Sequence, residues 1–140
     1  MYLQDNRRKN MTMATWDGNV WYPVFYDLDT SWGLHWNGQS TFPPETPIEE
    51  DSILWEKLAG NFGDQIKARY VELRRTIFTK TNIMNEFQIF ADVVGKTAYA
   101  KDQSKWPGIP SKNFGIPFIK TWINTRFAYF DKKYGVILDD

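Results

Sequence analysis

Four polar residues near the N-terminus have types and spacing that suit metal chemistry: Asp5 and Asn10 in "DNRRKN", and Asp27 and Asp29 in "YDLDTSWG". Carboxylate and carboxamide oxygens are the hard ligands that a divalent cation such as Mg²⁺ accepts, and a free carboxylate can also take a proton from a hydroxyl. The same residue types serve equally well in turns, where Asp and Asn bond nearby backbone N–H groups. Spacing alone leaves both uses open.

The element that has to position them is a β-hairpin. Met11 to Thr15 and Val20 to Tyr26 are short runs rich in Thr, Val and aromatic residues, and the "WDGN" between them holds Asp17-Gly18, a turn signal because Gly adopts positive φ at no steric cost. A hairpin brings the residues before its first strand next to those after its second. If the second strand continued, Asp27 and Asp29 would face the same side, since side chains alternate along a strand. From Asp29 to Pro47, "DTSWGLHWNGQSTFPPETP" reads as a long loop.

Beyond the loop the periodicity turns helical. Thr46, Pro47 and Glu49 have the pattern of a capping box that starts a short helix through Trp55 and Leu58, closed by Gly60 and Gly63. Ile66, Tyr70, Leu73 and Ile77 mark a second helix from Asp64 to about Phe78. Ile83, Phe87, Phe90, Val94 and Ala98 mark a third, with Asn82 as its cap and an end near Tyr99. "KDQSKWPGIPSKNFGIP" is a broken loop. A last helix covers Phe118 to Tyr134, with Ile119, Ile123, Phe127 and Phe130 inward, Lys132 and Lys133 in its final turn and Gly135 as its stop. The expected fold class is α+β, mainly α: an N-terminal β-hairpin followed by about four helices in a single domain over residues 1–140.

Composition narrows the function classes. Seventeen basic residues balance seventeen acidic ones, so charge predicts no pull toward nucleic acid or a membrane surface. No segment reaches the ~18 apolar residues of a membrane span and no signal peptide is recognisable, so the chain reads as soluble, with its compartment unknown. The absence of Cys rules out disulfides and thiolate metal sites. His35 is the single His, which leaves no His-rich metal site, and it is read as a loop residue. Aromatics are abundant at 17%. Trp32 and Trp36 could form a stacking platform, but the better reading folds them back over the helices. Lys67, Arg69, Arg74 and Arg75, interrupted by Asp64 and Glu72, read as a solvated helix face.

Asp5 and Asn10 share the D-x-x-x-x-N spacing of the protein-kinase catalytic loop, and a hairpin with an Asp at its end follows, as in kinases. The wording "DNRRKNMTMATWDGNVWYPVFYDLDTSWG", with "YVELRRTIFTKTNI" and "IKTWINTRFAYFD" further on, resembles the CotH-like (spore coat protein H) kinase family, an atypical branch of the kinase-like fold. That resemblance implies the C-lobe of a kinase-like domain. It places Asp5 as the catalytic base, Asn10 and Asp27 as Mg²⁺ ligands and Asp29 as a further candidate ligand, with ATP as phosphoryl donor and a protein hydroxyl as acceptor. The chain begins just before Asp5, and its Gly-containing segments "LAGNFGDQ" and "PGIPSKNFG" lack a phosphate-loop pattern, as they lack the nucleotide-pairing Lys of an N-lobe. The expectation is therefore a C-lobe fragment that is inactive or weak alone, with a protein substrate or a separate N-lobe chain as partner. The alternative is a non-catalytic structural or interaction module of a surface or phage particle assembly. In either case an uncovered apolar face would favour self-association.

Overall fold

A computed structural model describes residues 10–28, 31–35, 41–47, 53–108 and 115–138. Along them run β1 (Met11–Ala14), β2 (Tyr22–Phe25), α1 (Ile53–Thr76), α2 (Lys80–Lys105) and α3 (Ile116–Tyr134). The expected hairpin is present, with β1 and β2 antiparallel, Met11 opposite Phe25 and Ala14 opposite Tyr22. Its loop is built as the sequence suggests. Gly18 has φ 76°, and Asp17 Oδ1 accepts the backbone N–H of Asn19 at 2.8 Å and of Val20 at 2.9 Å. Those bonds, Val20's first and then Asn19's, hold the Asp17 carboxyl below its ordinary value. Pro23 sits within β2, which is tolerable because both strands of a two-stranded sheet are edges.

The described residues contain three helices where the periodicity predicts about four. The first two expected helices are one, α1, and Gly60 and Gly63 do not end it. Only Phe62, between them, leaves helical geometry, at φ −124° and ψ 21°. A helical Gly costs about 1 kcal/mol relative to Ala, too little to stop a helix whose flanking turns are hydrogen-bonded. The expected cap at Thr46 is also not one. Its hydroxyl donates to the Pro43 carbonyl at 2.7 Å, closing a turn, and α1 begins at Ile53; Glu49 lies outside the described residues.

The cap of α2 is Thr79 rather than Asn82: Thr79 Oγ1 accepts the Asn82 N–H at 3.0 Å. Asn82 instead sends its side-chain amide back to the Ile77 carbonyl at 3.2 Å, at the end of α1, and so ties the two helices at their corner. Past the expected end at Tyr99, α2 continues to Lys105, crossing Gly95 at φ 78°. The ends of α3 agree with expectation, with Pro117 in the first turn, Lys132 and Lys133 in the last, and Gly135 left-handed at φ 67°.

Trp122, Ile123 and Phe127 of α3 form the centre of the core, and Trp32, Phe42, Ile83, Met84, Phe87, Phe118 and Ile119 pack on it. The inward stripe expected on α3 is the one observed, but that expected on α2 is only half used: Ile83 and Phe87 reach the core while Phe90 stays 64% exposed. Trp32 does fold back, with its ring edge-on to Phe87 at 5.2 Å; Trp36 lies outside the described residues. The hairpin stands apart, since no Cα of β1 or β2 lies within 8 Å of one in a helix. Among the described residues no helix is long and apolar enough to cross a membrane.

Candidate functional site

The strand register decides which ends of the hairpin meet. With Met11 opposite Phe25, the residue before β1 and those just after β2 come to the same end, away from the Gly18 loop. There Asn10 Nδ2 donates to Asp27 Oδ2 at 3.1 Å. Asp27 itself has φ 59°, a left-handed conformation that Asp tolerates better than most residues. It turns the chain out of the strand and leaves the carboxylate exposed beside the half-buried Asn10.

Two of the four candidate site residues are thus brought together, and Asp5 and Asp29 lie outside the described residues. The pair is compatible with a hard cation. Mg²⁺ is commonly held by one or two carboxylates plus substrate phosphates, and turning the Asn10 amide about its last bond would replace the donor by an oxygen. Among the described residues no three His, Cys, Asp or Glu side chains cluster.

The backbone after Asp27 is fastened to α3. Ser31, buried, donates its N–H to the Leu28 carbonyl at 3.0 Å, and its hydroxyl points to the same oxygen. Trp32 has φ 61° and Gly33 φ 88°; beyond them Leu34 bridges Thr41 antiparallel, and the Phe42 N–H reaches the Gly33 carbonyl at 2.7 Å. His35 lies in this loop, its ring 5.0 Å from that of Phe42. Trp122 Nε1 donates to the Phe42 carbonyl at 3.0 Å, and the buried Arg126 donates to the carbonyls of Pro44 at 2.7 Å and Thr46. The Pro43 carbonyl is met within the stretch, by the N–H and hydroxyl of Thr46, and those of Pro44 and Thr46 are left to the Arg126 side chain.

A second buried arginine lies where a solvated face is expected. Arg74 is 3% exposed and forms a two-pronged pair with Asp131, Nε to Oδ1 and Nη2 to Oδ2, both at 2.8 Å. The Tyr70 hydroxyl donates to the same carboxylate at 2.8 Å. Burial, then that hydrogen bond, pushes the Tyr70 hydroxyl above its usual value. Desolvation overturns the solvated-face reading: Arg74 follows Tyr70 by one helical turn and shares the face that α3 covers. The other residues of that stripe, Lys67, Arg69 and Arg75, are exposed, and Arg69 pairs with Glu72 on the surface. Trp122, Arg126 and Phe130, at steps of four along α3, were the signal for Arg126: a charge inside an apolar stripe.

The family model described as CotH kinase protein matches residues 1–130 of the 140. Neither the comparison with curated proteins nor that with solved structures gave a match.

Proposed function

The chain belongs to the CotH kinase protein family, and we propose that residues 5–29 form the metal-holding end of a site that moves a phosphoryl group from ATP to a protein hydroxyl. The observation that carries this reading is the 3.1 Å contact of Asn10 with Asp27, two residues 17 apart in sequence that the phosphotransfer pattern requires to be adjacent. Asn10 and Asp27 would hold Mg²⁺, with Asp29 as a further ligand, and Asp5 would accept the proton of the attacking hydroxyl. Bound Mg²⁺ supplies neutralisation of the phosphate charge. Electrostatic clamping of the phosphates carries most of such catalysis, and these 140 residues hold no Gly-rich phosphate loop. By themselves they are therefore expected to turn over slowly or not at all, as a C-lobe completed by an N-lobe.

Calorimetric titration with Mg²⁺ and ATP tests the reading. The parent chain should show Mg²⁺-dependent heat that Asp27→Ala loses. A parent without such heat sinks the reading, and heat that survives in Asp27→Ala removes Asp27 from the ligand set.

A second reading, an interaction module of a surface or phage particle assembly, is favoured by the hairpin's aromatic surface. Trp16, Trp21, Tyr22, Phe25 and Tyr26 are all exposed on an element that no helix covers. A patch of this kind marks an interaction surface. Concentration-dependent sedimentation that Trp16→Ser abolishes would support it.

A further inference from the structure

Between Asp27 and α3 the described residues form a nearly continuous run of hydrogen bonds. The Leu28 carbonyl accepts from the N–H and the hydroxyl of Ser31, the Ser31 carbonyl accepts the Leu34 N–H at 3.4 Å, and the neighbouring Gly33 carbonyl accepts the Phe42 N–H. The Phe42 carbonyl accepts the indole N–H of Trp122. Gly33 is pressed against that same indole so closely that a Cβ there would stand 2.1 Å from Nε1. Ser31 at 8% and Trp122 at 4% are buried, while Leu28 at the Asp27 end is 41% exposed, so the run is shielded toward α3 and open to water at Leu28.

We infer that Trp122 and Ser31 are positioning residues for Asp27. The indole N–H holds the turn of residues 31–35 and 41–42, the turn holds the Leu28 carbonyl, and the peptide before that carbonyl holds Asp27 left-handed with its carboxylate on Asn10. The inference rests on the reading of Asp27 as a metal ligand, because its consequence is a preset ligand geometry. Groups that orient a metal ligand from behind typically change affinity by about 10–100-fold when removed. Trp122 touches neither reactant nor ion in this scheme; it acts through the backbone.

Mn²⁺ is the probe, with free ion measured by electron paramagnetic resonance on the full 140-residue chain. Ser31→Ala and Trp122→Phe should each weaken Mn²⁺ binding about tenfold, and the double variant should be no weaker than the weaker single one. Unchanged affinity in both, or effects that multiply in the double variant, would overturn the inference. If Trp122→Phe fails to fold, Ser31→Ala decides by the same measure, since it leaves the α3 core intact. A parent that binds no Mn²⁺ counts against the metal reading and not against the positioning. The backbone amide resonances of Asp27 and Leu28 then decide: they should move in Ser31→Ala while that of Thr12 in the hairpin stays, and unmoved resonances overturn the inference.

Discussion

In the hairpin Trp16 is 90% exposed and Phe25 54%, whereas on α3 Trp122 is 4% and Ile123 1% exposed. Both regions are rich in aromatic residues, and the difference lies in what surrounds them. The hairpin is held by its own ladder and by the Asp17 loop, while α3 is enclosed by α2, by the face of α1 that carries Tyr70 and Arg74, and by the loop around Phe42. The candidate metal end lies on the element with little support of its own. By the inference above, its support reaches it from the other region, through the hydrogen bonds of Ser31, Gly33 and Phe42.

The largest effect should come from the buried side. Arg74→Ala strands Asp131 beside Tyr70 and should destabilise by about 3–5 kcal/mol, read from urea unfolding. A loss below 1 kcal/mol would mean that the pair is not desolvated. Next comes Gly33→Ala, which combines a left-handed residue with a methyl driven into the Trp122 indole. A cost of about 2–4 kcal/mol is expected, with loss of the Trp122 near-ultraviolet signal.

A smaller, pH-dependent effect belongs to Tyr70. Its hydroxyl titrates higher in the folded chain than in the unfolded one, so as pH rises past about 10 the unfolded chain releases this proton first. The native state then binds more protons and loses stability. This contribution is whole below about pH 10 and falls above it. Thermal melts of the parent should therefore decline more steeply in alkali than those of Tyr70→Phe. The smallest effect is in the hairpin, where Trp16→Ser should change stability by no more than about 0.5 kcal/mol while changing any self-association. A large loss there would show that the hairpin packs on something after all.

Legibility in the sequence followed the range of the interaction. Asp17-Gly18 and Gly135 were readable because a positive φ is a property of one residue, and the α3 stripe because four apolar residues recur at helical spacing on one face. Gly60 and Gly63 misled, because their propensity is a small term that neighbouring turns outweigh. Asn82 misled because its neighbour Thr79 offered the capping oxygen, leaving the Asn82 amide for the carbonyls that end α1.

The order of Asp5, Asn10, hairpin, Asp27 and Asp29, and the aromatic and helical periodicities, were determined by the sequence itself, since they are matters of residue type and local spacing. Only the tertiary structure decided that Asn10 meets Asp27, that Arg74 is sealed against an Asp 57 residues away, and that Trp122 reaches a carbonyl 80 residues away. The physical reason is desolvation. Whether a charge or an N–H is solvated or buried depends on which distant chain covers it, and no local propensity contains that.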